Sequence, residues 1–561
     1  MNLFTKAVFF FVVLQFIVCT FFNEKFLDHQ FNLKNNGEGD LIEGLDHNAL
    51  GLLVNESLSG EGVVTKFVGY GIAHHYETDD NLLVQHCYNY FVVQNSSDDS
   101  LFQDENGLWG TAQVVGVKNG ECIIGIAYHS KFVVRKVRDG SLFVDEELIA
   151  QAIWDNSTFD RSDTSITHLD LLISNEDSFG HYAQPPKLIE EAINNATRFG
   201  RNGRGTIFAS SGKNDEFANL SPYCKIRQVI IVVPLSGAGF SLNTHTPHLV
   251  NVLLAGIVGD AMHPLYTATL SFENSSQICG WKDQSTHASY DIVGLVALAL
   301  EANPDLNWLD VQYLLVKSAR YDKLKKYPYI VNGKNLKWST YYGFGVPDGQ
   351  LLVSFGKNFE SFSKEESVTL EKTFDGKQIH YNRATEFCFN VTNSLLTVFQ
   401  AQIEISLTDA AIGFVEIVLK SPYQTEVSLT TLSHDRTHTF VNYPFTTRIF
   451  FGERSDGLWK AQITNFVEAF TPLLTNLKLS LFGVSSFEDP DPAPLPPDPT
   501  PTPSLPPSPS PSLAPSSAPT LSPSPIIANE TIIIRFSSSN VVQKNAIYLL
   551  SFFILMSLFL L

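Results

Sequence analysis

Basic residues are scarce in this chain of 561 residues: 38 lysines and arginines face 58 aspartates and glutamates, for a net charge of −20. The charge is spread without a basic patch, which argues against nucleic acid as a partner. Cysteine is also sparse, at six. Cys19 lies in an N-terminal apolar segment, leaving Cys87, Cys122, Cys224, Cys279 and Cys388. An odd set cannot pair completely, so at least one of the five is a free thiol or an intermolecular partner. A long apolar span is missing too. The last apolar run, Ala546–Leu561, would reach about 24 Å as a helix, short of the ~30 Å hydrocarbon core. What is present is an acidic chain, 44% hydrophobic, long enough for two or three domains.

The two ends carry targeting signals. Residues 1–22 hold one lysine and then AVFFFVVLQFIV, the pattern of a secretory signal peptide. Eight Asn-x-Ser/Thr sequons, at Asn55, Asn95, Asn156, Asn195, Asn219, Asn274, Asn390 and Asn529, suit N-glycans on a secreted product. Residues 487–536 are rich in proline, serine and threonine and read as an extended stalk, up to ~3.1 Å per residue. Small residues at Ser537–Asn540 precede a polar spacer and the hydrophobic segment within 540–561, which fits a GPI-attachment signal better than a spanning helix. The expected localisation is the cell surface, reached by the secretory pathway, with the membrane held through the C-terminal anchor.

Between the ends, the stretch Cys279–Leu315 organises the reading. Small and apolar residues run from Ala288 to Leu300, EANP breaks them, and Leu306–Leu315 resumes. Pro304 cannot continue a helix, so two helices joined by a turn are expected. Upstream the pattern alternates in the α/β manner. Phe132–Val137, Leu169–Ile173, Ile207–Ser211 and Val229–Val233 read as strands, and Glu146–Trp154 and Lys187–Arg198 as helices. Leu249–Val258 fits strand or helix. Beyond Phe355 the chain becomes strand-rich, with Ile412–Leu429, Gly457–Phe466 and Leu477–Gly483 prominent.

LEAN followed by W-x-D-x-Q-x-L, at Leu300–Leu314, resembles the segment after the active serine of kexin- and furin-type subtilisin-fold proteases. SGEGVVTKFVGYG, GLWGTAQVVGV, NGECIIGIAY, GRGTIFASSG and YGFG resemble further motifs of that family, and residues 355–484 resemble its P domain. The resemblance implies an α/β subtilisin-like domain at 51–350, mainly parallel, followed by a β-sandwich P domain at 351–484. It also implies a Cys122–Cys279 disulfide, leaves Cys87, Cys224 and Cys388 unassigned, and suggests calcium as a cofactor, whose ligand loops align with no particular residues here. Relatives carry a folded propeptide before the protease domain. Residues 24–50 are too few to form one, so either the sequence is truncated or there is no zymogen to restrain.

The catalytic positions of the family fall on unusual residues. The acid that orients the base is Gly69, with Tyr70 after it. The base is Trp109, the oxyanion donor Gly212, and the nucleophile Thr286, flanked by Ser285 and His287. Indole has no basic nitrogen, and glycine supplies neither carboxylate nor amide. Glu176 and Asp177, nearest to the family's acidic specificity loop, read as a solvated loop, and His74 and His75 as surface loop histidines. Gly69, Trp109, Gly212 and Thr286 are expected to converge, with Trp109 lying over Gly69. The leading expectation is a catalytically dead surface protein acting as a binding or antigenic module for a peptide or protein. The alternative is a serine-type endopeptidase with a rearranged site: Ser285 as nucleophile and His74, His75 or His287 as base.

Overall fold

Short apolar runs separated by amphipathic helices build an eight-stranded sheet in the first part of the chain. The computed structural model describes residues 29–485, apart from 56–57, 92–93, 96–98, 103, 140–141, 171–183, 213–224, 243–248, 272–275, 284–286, 431 and 433–438. In chain order the sheet contains β1 (Val64–Gly69), β2 (Tyr88–Asn89), β3 (Gln94–Asn95) and β4 (Lys131–Lys136). A hairpin of β5 (Arg138–Asp139) and β6 (Leu142–Phe143) intervenes. The sheet then takes β7 (Ile166–Leu169), β8 (Ile207–Ser211), β9 (Val229–Ser236) and β10 (Val252–Val258). Its spatial order is β10-β9-β8-β7-β1-β4-β2-β3, parallel except for the β2–β3 edge.

Because side chains alternate across a pleated strand, each face of the sheet feeds its own core. Phe67, Ile230 and Val232 point into one cluster, and Val68, Ile231 and Val233 into the other. The helices are α1 (Leu50–Asn55), α2 (Glu105–Val115), α3 (Glu146–Ile153), α4 (Lys187–Phe199), α5 (Ala288–Ala302), α6 (Trp308–Ser318) and α7 (Gly349–Gly356). The expected helix pair is α5 and α6, with Asn307 and Asp310 forming a capping box at the start of α6. Leu249–Val258 resolves as strand β10. One expected strand is displaced: β7 occupies Ile166–Leu169, not Leu169–Ile173, and residues 171–173 lie outside the described residues. Pairing of Thr65–Val68 with Ile166–Leu169 sets this register, and it buries the polar Thr167 and His168 that disguise the strand in the sequence.

The first fold also reaches further toward the N-terminus than residue 51. Gln30 exchanges two hydrogen bonds with the backbone of Ile124, at 2.8 and 3.0 Å. Asn32 donates to Asp291 at 3.1 Å, and Leu33 and Ala49 belong to the main core. The start expected at 51 therefore cut off residues that are integral to this core.

A hairpin of β11 (Leu265–Leu270) and β12 (Gln277–Lys282) precedes α5. Small ladders β13 (Ala319–Arg320) with β16 (Val346–Pro347), and β14 (Ile330–Val331) with β15 (Lys337–Trp338), follow α6. The strand-rich remainder forms two four-stranded antiparallel sheets. One contains β17 (Glu366–Gln378), β24 (Leu473–Val484), β19 (Thr397–Thr408) and β22 (Phe440–Thr447). The other contains β18 (Thr385–Val391), β23 (Gly457–Asn465), β20 (Val415–Lys420) and β21 (Glu426–Ser428). The fold is subtilisin-like, a central parallel sheet with helices, followed by a P-domain region of antiparallel sheets.

The two regions share a core and a polar joint. Tyr313 of α6 stacks near Phe399 and Phe451, with ring centroids 5.9 and 6.2 Å away. Arg448, fully buried, donates to Asn251 at 3.1 Å, to Gln312 at 2.8 Å, and to the carbonyls of Arg227 and Val229 at 2.9 and 3.0 Å.

Candidate degenerate active site

The carboxyl ends of parallel strands are where α/β folds gather their sites. Gly69 ends β1 there, and Gly212 follows β8. The first turn of α5 faces both through a chain of buried polar groups. His168 Nε2 lies 2.8 Å from Ser289 Oγ, and Ser289 Oγ lies 2.8 Å from Ser211 Oγ. Ser289 N also donates to Ser211 Oγ at 3.0 Å. Trp109 reaches the same turn from α2, with its ring 6.2 Å from that of His287. Gly69, Trp109 and Gly212 are thus each linked to the start of α5 through their neighbours. Thr286 and Ser285 lie outside the described residues, as do Glu176 and Asp177.

The space around Gly69 is filled from the next strand. A Cβ at position 69 would lie 2.7 Å from the Cβ of Asp170 and 3.1 Å from its carbonyl oxygen. Asp170 N donates to Val68 O at 2.8 Å, which fixes this close approach. The expectation that Trp109 covers Gly69 is therefore corrected: Asp170 takes that place. The Asp170 carboxylate lies 3.7 Å from Arg138, whose guanidinium sits 4.4 Å from the centroid of the Tyr70 ring. Burial pushes the Asp170 carboxyl up, against the pull of Arg138.

Trp109 turns elsewhere because α2 begins at Glu105 and places it one turn in, on the side of the β11–β12 hairpin. Its Nε1–H donates to Glu105 Oε1 at 3.1 Å, and Lys282 Nζ lies 4.4 Å above its ring. Lys282 also pairs with Glu105 at 3.0 Å, and Thr269 Oγ1 donates to the same carboxylate. The indole is held as a donor and a cation platform. Behind it, Tyr290 fills the floor. Its ring lies 4.0 Å from His168 and stacks on Phe67 at 5.7 Å. Gly110 is required by this ring, since a Cβ there would meet Cζ of Tyr290 at 2.5 Å.

Gly212 is almost as confined. A Cβ at that position would approach Leu249 at 3.0 Å and Val233 at 3.2 Å. Of the histidines considered as a base, His75 was misplaced, and His168, which lies beside Ser289, was not among them. His75 is buried, not a surface residue: it accepts from Glu77 N at 3.1 Å through Nδ1, leaving its Nε2–H to donate to Ile278 O at 3.0 Å. Burial lowers its pKa. His74 is exposed, stacked 4.3 Å from Phe102 and 3.2 Å from Asp79. His287 places Nε2 3.3 Å from Asn106 O. His168 is held to about 3 by burial, with His287 adding to the effect, so it is neutral throughout the physiological range.

Cys122 and Cys279 form a disulfide, with Cα atoms 5.7 Å apart, as the family resemblance implies. Cys87 is buried and Cys388 exposed, both as free thiols, while Cys224 lies outside the described residues. Among the described residues, the side chains that would offer three ligand atoms to a metal are Glu77, Cys122 and Cys279. Two of these are sulfurs tied in the disulfide, and calcium requires oxygen ligands, so the group does not fit calcium.

A sequence model of the Subtilase family matches residues 71–345, and one of the proprotein convertase P-domain matches residues 398–481. Furin-like protease 2 of Drosophila melanogaster is 27% identical over 465 residues, covering 76% of this chain and 26% of its own length. The dibasic-processing endoprotease of Yarrowia lipolytica is 24% identical over 461 residues, covering 78% of this chain and 46% of its own. Across these and the furins, the chain spans about a quarter to two thirds of the length of the curated relatives it matches. Among solved structures, the serine protease of Aeromonas sobria in complex with its chaperone superposes with a TM-score of 0.69 at 18% identity. It covers 83% of this chain and 96% of that one.

Proposed function

Because the chain is a kexin- and furin-like subtilisin-fold protein with a P domain, we propose that it is a pseudoprotease, a cell-surface module that binds peptide or protein without hydrolysing it. The observation that supports this reading is Trp109, aligned by its flanking motif with the family's base position, whose Nε1–H donates to Glu105. Hydroxyl nucleophiles need a base within hydrogen-bond reach, and an indole cannot accept a proton. Gly69 offers no carboxylate to orient a base, and Gly212 offers no side-chain donor to an oxyanion. Losing a triad serine or histidine in subtilisin costs about 2 × 10⁶ in kcat, and the rate that remains leans on the oxyanion hole.

Surface display is supported by the leader-like segment 1–22, the sequons and the apolar C-terminal run. The sequon asparagines Asn156, Asn195 and Asn390 are exposed in the fold. The test is incubation of the purified, glycosylated full chain with dibasic peptides and with a fluorophosphonate probe for active serines. The expected result is no cleavage and no labelling. Turnover that disappears in Ser285→Ala or Thr286→Ala variants would establish the rearranged endopeptidase instead.

A further inference from the structure

A second cavity lies away from the degenerate site, on the other face of the β11–β12 hairpin. Side chains alternate across that hairpin. Lys282 turns to Trp109, so Trp281, paired with Tyr266 across the ladder, turns the opposite way. There the chain before α1 and the turn at His263 and Pro264 enclose about 290 Å³, with the Trp281 indole as one wall. That volume is at the lower end for ligand pockets and suits one ring better than an extended chain.

The indole is held from one side and open on another. Tyr266 meets it at 5.2 Å with the ring planes 73° apart, and Tyr266 does not line the cavity. His29 stands in the cavity wall, 4.8 Å from the indole and tilted 63° to it. Although Trp281 touches both rings, it remains 50% exposed. Phe31 and Leu41 extend the apolar wall, and Lys34, Asn36 and Glu38 surround it with polar groups. These three side chains are exposed, and among the described residues none of them has a hydrogen bond or an ion pair.

The chemistry of this set is selective. An ammonium only donates, a carboxylate only accepts, and an amide does both. Lys34 and Glu38 cancel in charge, so a free cation meets one repulsive neighbour and so does a free anion. An aromatic side chain from a protein would use the indole and cover the three polar groups without bonding them, which costs binding energy. A neutral sugar ring uses every group. Its C–H face lies against the indole, and each hydroxyl both gives and accepts a hydrogen bond. We propose that this cavity binds one ring of a neutral glycan, a hexose or an N-acetylhexosamine. The site stands apart from the family's catalytic positions and does not depend on how they are read.

The experiment titrates the full chain, before and after enzymatic removal of N-glycans, with oligosaccharides of mannose, glucose and N-acetylglucosamine. Saturation-transfer NMR on the ligand is the readout, and tetramethylammonium, heparin oligosaccharides and N-acetyltryptophanamide are the competing probes. The expected result is transfer to the ring protons of at least one neutral oligosaccharide, with a Kd of about 1 mM that salt changes little. Trp281→Ala and Glu38→Gln should each weaken binding about tenfold or more at unchanged melting temperature. Trp281→Phe, which keeps a flat ring, should recover part of the loss. Binding that appears only after N-glycan removal supports the site and identifies the chain's own glycans as its resident ligand. The proposal is overturned if none of the three oligosaccharides binds in either form, or if either Trp281→Ala or Glu38→Gln binds like the parent. It is also overturned if a competing probe binds as tightly as the best neutral oligosaccharide and is weakened by the same variants.

Discussion

At the proposed degenerate site, single positions leave little room for a side chain. A side chain at position 69 meets Asp170, and one at 212 meets Leu249 and Val233. Restoring the family's residues with Gly69→Asp, Trp109→His, Gly212→Asn and Thr286→Ser should therefore give no protease. It should also lower stability by about 1–3 kcal/mol, the usual cost of overpacking. Peptide turnover by the quadruple variant, measured against the parent, would show that the site can still open. His168 sets a second expectation. Its folded pKa, about 3, lies below the unfolded value of 6.5, so its contribution is complete above 6.5 and is lost as pH falls toward 3. The loss amounts to about 5 kcal/mol for a shift of this size. His47, held to about 4 by burial, acts in the same direction. Asp291, raised to about 7 by burial, opposes them: the native state gains a proton there before the unfolded chain does. His168→Gln keeps a partner for Ser289 and should flatten the acid limb of a denaturation series. An unchanged limb would exclude His168 as its source.

Elements show how much the sequence disclosed. The helix pair α5 and α6 was legible because Pro304 breaks an apolar run and Asn307 and Asp310 cap the second helix. The assignment of Gly69, Gly212 and Trp109 to the family's catalytic positions rests on their flanking motifs alone. What filled their space was not legible there. Asp170 follows a strand that was placed three residues late, and its role depends on a cross-strand contact that spacing cannot report. Ser289, Tyr290 and Asp291 did leave a trace, three polar-bearing residues inside an otherwise apolar helix. Strand β1 hides a similar surprise, a buried Lys66 whose Nζ lies 2.6 Å from Asp160 Oδ1 and 2.6 Å from Ile153 O. Burial lowers the lysine's pKa while Asp160 opposes the shift. Removing one partner strands the other, so Lys66→Met should cost about 3–5 kcal/mol, and Lys66→Met with Asp160→Leu much less. Chemical denaturation of both variants checks this, and equal losses would mean that the pair is not coupled.

At the scale of the whole molecule, the joint at Arg448 should make the two regions one unfolding unit. Its guanidinium donates to Asn251, Gln312 and the carbonyls of Arg227 and Val229, all in the first region. Asn332 reaches across in the other direction, donating to Ile449 O and Phe451 O at 2.9 Å each. Arg448→Met should therefore lower the melting temperature of the entire chain in one calorimetric transition, at a cost of about 3 kcal/mol or more for the buried acceptors it leaves. Two separated transitions in the parent would show that the regions unfold independently.

The same joint has a consequence in time. The carbonyl of Val229 is synthesised 219 residues before the arginine that donates to it. At ~5–20 residues per second, roughly 10–45 s separate the two. Throughout that interval the nascent sheet has its strands but lacks the guanidinium its inner edge was built to receive. The first region emerges from the ribosome early and finishes late. Its residence in that half-made state is set by the length of chain between Val229 and Arg448.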